Sequence, residues 1–526
     1  MRSASRSWWE QAVQNRLVAL VLAMIVCVPL LATPANYRVH GLSTYVFEAF
    51  AIVLLATLAW RAKWDLRREK LVSFVTTGPN AVVLLFGALV VGSALLSPQR
   101  MSGVQEALRI VSGILLYFVV TYQFRRSEHL SKLIETLIGV GIVAALWGFM
   151  QYSSGAETRA SGLFGNPQLL ASFLIILLPV VAVFALRDTN EKRQLAAMVA
   201  TLLMGACLLI SQTRSAWVAA AVAAVAIGGL AVMAGLRDRQ NRKPAGNRAA
   251  LALPMLLVAT TFGLFLLMWP QTQQLLDRGA TLGNIGGQQT VQTRAQMALG
   301  AWKIALDNPF KGIGVGNYGV MAGAATVYGR GIDANTAPSL AENAHNLYLQ
   351  TAAELGFPGL ILLVSIPLVL VVGAGRRIAS MDPGLRRSLL IGCTGAIVGF
   401  MVDAVGSPSW QLGQNAMFFW LVLGLGVSAM RPLPKASKED AAVPAQPKRA
   451  LRFAAVAASL GLAALLPTAS LAGGDGYPDH ITISPKSATI VGGQSQAYTV
   501  KLFYTDNSSV DVTTSPKTTY AENGLG

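Results

Sequence analysis

One feature of this chain leaves few folds open: continuous apolar runs of about 20 residues recur from Leu17 to beyond Leu460, each long enough to cross hydrocarbon as a helix. In lipid every backbone N–H and C=O must find a partner within the protein, so only helices and closed barrels can span. These runs do not alternate polar with apolar residues, which excludes barrel strands. Composition agrees, because 53% hydrophobic and 13% charged residues are far from the balance of a soluble domain. The expected fold is an all-α polytopic membrane protein of about twelve transmembrane helices. Their centres fall near Met24, Leu54, Ala88, Leu116, Val143, Leu177, Leu203, Ala224, Phe262, Val364, Ala396 and Val422.

A formal charge of +17 raises the possibility of nucleic-acid binding, and the placement of the charge argues against it. With the amino terminus and its Arg2, Arg6 and Arg16 inside, every second loop is basic. The inside loops then carry Arg61 to Lys70, Arg125 to Lys132, Arg187 to Arg193, Arg237 to Arg248 and Arg376 to Arg387. That is the positive-inside rule, so the charge reads as topology and no nucleic-acid partner is expected. Cys27, Cys207 and Cys393 all lie within apolar runs, where a thiol acts as a small hydrophobe and signals neither disulfide nor zinc. The first run lacks a small-residue cleavage site and is expected to be retained.

The chain divides into a membrane domain, residues 1–430, a Pro/Ala/Lys linker, residues 431–452, a further span or signal-like helix, residues 453–472, and residues 473–526. In the last segment Ile481-Thr482-Ile483, Ala497 to Val500 and Val510-Asp511-Val512 alternate as strands do. It resembles the opening of a bacterial immunoglobulin-like domain. A sandwich needs about seven strands, so the expectation is an incomplete immunoglobulin-like segment, from a truncated reading frame or an unusual fusion.

The outward loops are short except that of residues 270–355, between the ninth and tenth spans. Within it Thr293 to Asp307 has helical spacing, and Leu299, Trp302 and Leu306 are expected to pack this helix onto the membrane domain. Arg294 opens that helix, a cation on the side where topology selects against cations. Gly312 to Gly319 holds a GxGxxG spacing, but it follows a helix where a dinucleotide site needs a strand, so it reads as a tight turn. A helix of about three turns follows, with Asn343 as N-cap, His345 in its first turn and Gly356 as its stop. There the positive end of the helix dipole disfavours imidazolium and keeps the ring able to accept a proton. Arg214, in the very short turn between the seventh and eighth spans, is held at headgroup level, and arginine suits bidentate phosphate recognition. Arg159, before Gly165-Asn166-Pro167, is a third and weaker candidate.

His345-Asn346, nine residues, Gly356, two residues and Gly359 is similar to the signature of the O-antigen ligase family. Arg214 with Trp217, Arg294, Asn308-Pro309 with Gly312 and Gly314, and Gly165-Asn166-Pro167 strengthen the resemblance, which covers most of Leu17 to Met430. It implies a GT-C-like, inverting, metal-independent glycosyltransferase with no cofactor, placed in the inner membrane with its site facing the periplasm. The donor would be a glycan on undecaprenyl pyrophosphate, and the acceptor a sugar hydroxyl of lipid A core. By that analogy Arg214 and Arg294 hold the pyrophosphate and His345 deprotonates the acceptor. Asn346, Gly356, Gly359, Arg159 and Glu342 would support them, with Asp333, Glu342 or Glu354 orienting the imidazole or a substrate hydroxyl. The chemistry is coherent, since a diphosphate leaves readily once its charge is paired and the nucleophile needs one base.

A polymerase joining lipid-linked repeats shares these features and differs in acceptor, and a protein-glycosylating relative is a third reading. A transporter of lipid-linked sugars would instead need ionisable groups deep in the spans, for which Glu48, Glu135 and Asp403 are the candidates.

Overall fold

A computed structural model describes residues 2–31, 42–62, 78–154, 158–188, 190–240, 289–319, 343–407, 409–431, 478–484, 499–504 and 509–511. The chain forms two compact units, Met1–Ser459 and Leu460–Gly526. The first is helical throughout its described residues: α1 (Arg2–Leu30), α2 (Leu42–Ala62), α3 (Gly78–Leu95), α4 (Arg100–Gln123), α5 (Ser127–Ser153), α6 (Pro167–Arg187), α7 (Glu191–Ile210), α8 (Arg214–Gln240), α9 (Gln289–Asp307), α10 (Leu347–Arg377), α11 (Leu385–Asp403) and α12 (Gly413–Met430). Each expected span centre falls on a helix except Phe262, which lies outside the described residues.

Among the described residues 9 helices are long and apolar enough to cross a membrane, from α3 to α8 and from α10 to α12. The apolar parts of α1 and α2, Asn15–Leu30 and Leu42–Leu58, are shorter. This is a multi-pass membrane protein.

Burial divides the helices between core and rim. α12 is buried from Gly413 to Ala429, and α6 and α11 are buried along most of their length, whereas α8 shows lipid an exposed side with Val218, Val225 and Leu236. α11 packs on α6, α8 and α12, and α12 packs on α4. Gly395 and Gly399, one turn apart on α11, let it approach α8, since a Cβ at Gly399 would stand 3.0 Å from the Ala223 Cβ and 3.2 Å from the Ala219 carbonyl oxygen. Where lipid tails are as apolar as leucine, such close backbone packing drives helix association.

The two ends of this bundle differ in charge. At one end the Arg387 guanidinium pairs with Asp238 at 2.7 Å, Arg193 donates to Asp188 at 2.8 Å and Arg386 donates to the Ser428 carbonyl at 2.7 Å. Arg431 lies 4.0 Å over the Tyr122 ring at the same end. The other end carries the turns at Ser97, Arg159, Gln212, His345 and Ser407, where the candidate site lies.

The second unit holds an antiparallel three-stranded sheet, β1 (Pro478–Ser484), β2 (Thr499–Tyr504) and β3 (Ser509–Asp511), in the order β1-β2-β3. Ile481 opposes Leu502 and Ile483 opposes Val500. Ala497 and Tyr498 of the second expected strand and Val512 of the third lie outside the described residues.

Candidate functional site

The site grows from a broken helix. The first stretch of α10 stops at Gly356, as expected: Gly356 takes φ 69°, ψ −175°, outside the helical region, and Pro358, at the start of the spanning stretch beyond it, has no N–H to continue the ladder. The break leaves the carbonyls of Ala353 and Glu354 without their helical partners. The glycine turn supplies replacements: Ile313 N–H donates to Ala353 O at 2.9 Å, Gly314 N–H to Glu354 O at 3.0 Å, and Phe357 N–H turns to Pro309 O at 2.7 Å. Two glycines make this approach possible. A Cβ at Gly312 (φ 62°) would overlap the Glu354 backbone, and one at Gly356 would stand 2.7 Å from Pro309 O. The GxGxxG spacing is thus a backbone splice onto α10, and Gly359 lies one turn beyond the break against the Leu355 side chain.

Glu354 completes the splice. Its carboxylate is buried and accepts from Tyr318 N–H at 3.2 Å and from Gln350 Nε2 at 3.2 Å. Gln350 Oε1 in turn accepts from Ala344 N–H at 3.1 Å, next to His345. Glu354 therefore steadies the His345 segment through Gln350 and does not touch the imidazole.

The start of α10 differs from expectation. Asn346, not Asn343, is the N-cap, its side chain accepting from Leu349 N–H at 3.0 Å, while Asn343 accepts from His345 N–H at 3.0 Å. His345 therefore precedes the first turn instead of belonging to it, and it adopts φ 47° in the left-handed region. A non-glycine residue held there by two flanking asparagines carries strain of the kind found at functional sites. Its Nδ1 is buried without a hydrogen-bond partner. Burial lowers its pKa to about 4, and the Arg294 cation adds to the effect.

Three helix N-termini meet around the turn that follows α11. From α6, Gln168 Nε2 donates to Gly406 O at 2.6 Å; from α8, Ser215 Oγ donates to Asp403 Oδ1 at 2.9 Å; from α10, Leu347 N–H donates to Ala404 O at 3.0 Å. Gly165 (φ 62°), the capping Asn166 and Pro167 as first helical residue start α6, which explains that motif as a helix entry. Positive dipole ends thus converge on one place.

Two cations are added to it. Arg214 is the first residue of α8, and Arg294, from the loop helix α9, donates from Nη2 to Gln168 Oε1 at 3.2 Å. Burial lowers the Arg294 pKa, the Arg214 cation lowers it further, and the Asp403 carboxylate opposes both. His345, Arg294 and Arg214 therefore share one electrostatic neighbourhood.

Arg159 has a different place. Its guanidinium donates to Ser211 O at 3.0 Å, Gln212 O at 3.3 Å and Thr213 Oγ1 at 3.2 Å, bracing the turn in which Gln212 adopts φ 51° immediately before Arg214. Glu342 and Asp333 lie outside the described residues.

Sequence reasoning named Asp403 only as an ionisable group that a transporter would need, and missed that it forms the floor of the site with a set of serines. Asp403 is fully buried and accepts from Ser172 and Ser215, with Ser409 at 3.3 Å and Ser407 joined to Ser172 at 3.1 Å. Gln168 was missed as well. The serines come from α6, α8 and the turn after α11, so no local spacing announces them; the one signal was a lone carboxylate ending an apolar run. Glu135, a candidate for a transport path, instead lies largely exposed, 3.6 Å from Arg193. Among the described residues no group of three or more His, Cys, Asp and Glu side chains is arranged to hold a metal ion.

Residues 199–364 match the family model described as O-antigen ligase, a stretch that includes Arg214, Arg294, His345, Gly356 and Gly359 and excludes Arg159. No curated protein matches the chain.

Proposed function

We propose, from the O-antigen ligase match of residues 199–364 and the O-antigen ligase and polymerase superfamily it supports, that this protein transfers a glycan from undecaprenyl pyrophosphate to a sugar hydroxyl. The observation that carries the reading is the gathering of His345, Arg294 and Arg214 around one cluster of helix N-termini. That cluster lies at the end of the bundle opposite the Arg387, Arg386 and Arg431 turns. A basic end is cytoplasmic by the positive-inside rule, which supports a site facing the periplasm from a bacterial inner membrane.

The diphosphate sits between Arg214 and Arg294, with the N-termini of α6, α8 and α10 adding their partial positive charge. The acceptor oxygen bonds to the anomeric carbon as the bond from that carbon to the phosphate oxygen breaks. The diphosphate leaves with the electron pair, and the hydroxyl proton passes to His345. Attack opposite the leaving group inverts the anomeric centre. His345 is a weak base because it is buried, with the Arg294 cation adding to the effect. A bound diphosphate brings anionic oxygens beside the ring, stabilises imidazolium and strengthens the base where it is needed.

Reconstituted protein supplied with undecaprenyl-linked glycan and either core lipid or a second lipid-linked unit tests this reading. Extension of core lipid identifies a ligase and extension of the lipid-linked unit a polymerase. Transfer to neither, in protein that is folded and inserted, rejects the proposal.

A further inference from the structure

The loop helix α9 presents its apolar stripe outward, against the expectation that Leu299, Trp302 and Leu306 pack it onto the bundle. They are 67%, 41% and 52% exposed, and Phe310 just beyond is 80% exposed. The packed face is a different one, formed by Met297, Ala301, Ile304 and Ala305. Lys303 and Asp307 are also exposed: Lys303, one turn after Leu299, edges the stripe, where its long stem lets the ammonium reach water, and Asp307 lies between the stripe and the packed face. An amphipathic helix normally buries its large apolar side chains and shows water the small and polar ones; α9 buries Met297, Ile304 and two alanines yet leaves a tryptophan and two leucines uncovered.

What covers them is indicated by α10. Trp302 meets Phe357 edge to face, with ring centroids 5.8 Å apart. Phe357 heads the exposed apolar stripe of the spanning part of α10, which continues through Ile361, Val364, Leu368 and Val372 at helical spacing. The uncovered face of α9 is therefore continuous with a surface that faces lipid, and a tryptophan stands at the junction, where membrane interfaces favour that residue.

We infer that Leu299, Trp302, Leu306 and Phe310 are embedded in the bilayer surface, so that α9 is an interfacial helix lying on the membrane beside the spanning bundle. Arg294, on the face of α9 turned towards Gln168, is then held near headgroup depth. On the proposed function that is the depth of the donor's diphosphate, but the placement of α9 stands independently of the reaction.

Spin labels test it in full-length protein in proteoliposomes, with Cys27→Ala and one label at a time through Leu299→Cys, Trp302→Cys, Leu306→Cys and Asp307→Cys. Labels at 299, 302 and 306 should collide preferentially with oxygen, as a label at Ile361→Cys does, and the one at 307 with a water-soluble nickel chelate. The same contrast should persist in a His345→Ala background that transfers nothing, which separates this inference from the catalytic one. Equal access of the nickel chelate to all four positions would overturn it. Because the labelled side chains are exposed, the helix keeps its packed face in each variant.

Discussion

The Arg294 guanidinium depresses the basicity of His345 across the candidate site, adding to a burial that alone disfavours imidazolium. The free protein's imidazole, with its pKa near 4, stays neutral until the pH falls towards that value. The acid limb of kcat/KM for the donor should therefore lie near pH 4 rather than at the ordinary histidine value of about 6.5. In Arg294→Gln the repulsion is gone, the pKa rises and the limb should move to higher pH, alongside a loss of donor affinity. A limb that does not move in this variant removes Arg294 as a cause. With donor saturating, kcat should show its acid limb above that of kcat/KM, because the diphosphate then faces the ring.

Replacing the imidazole tests the base directly. His345→Ala should reduce glycan transfer by several orders of magnitude while expression and membrane insertion are retained. Unchanged transfer would eliminate the role.

Arg214→Lys keeps the charge at the start of α8 but replaces a planar fork with a point donor. Transfer should fall by about tenfold or more, the cost of one charge-assisted bidentate contact. Full activity would make Arg214 an anchor at the membrane surface.

Arg159→Ala withdraws three hydrogen bonds from the turn that presents Arg214. Donor KM should rise more than kcat falls, since the residue braces a binding group and is remote from the proton transfer. Steady-state kinetics with varied donor measure the split, and a pure kcat effect would contradict the bracing role.

At the splice, Gly312→Ala places a methyl group against the Glu354 backbone at a residue with φ 62°. Destabilisation of roughly 2 kcal/mol or more is expected in thermal unfolding, together with loss of transfer. Gly300→Ala, on α9 with nothing within 4 Å of the added Cβ, is the control and should be neutral or stabilising.

Much of this protein follows from local chemistry. Apolar runs of spanning length forced helices because backbone groups in lipid must pair within their own segment, and Leu116, Leu177 and Val422 accordingly lie mid-helix. Asn166-Pro167 announced the start of α6 because cap and first-turn preferences act over a few residues. The candidates His345, Arg214 and Arg294 were legible as residue types in unusual places. Their convergence was not, because it depends on how α6, α8, α9 and α10 pack around the turn after α11. Distance in space between residues such as Gln168 and Arg294 has no trace in their separation along the chain. The serines around Asp403 were invisible for the same reason, and so was the work of Arg159, two of whose acceptors are carbonyls that any residue carries. Periodicity likewise located an apolar stripe on α9 but not what it faces, since helical spacing records that a side of a helix is greasy and only packing decides whether protein or lipid covers it.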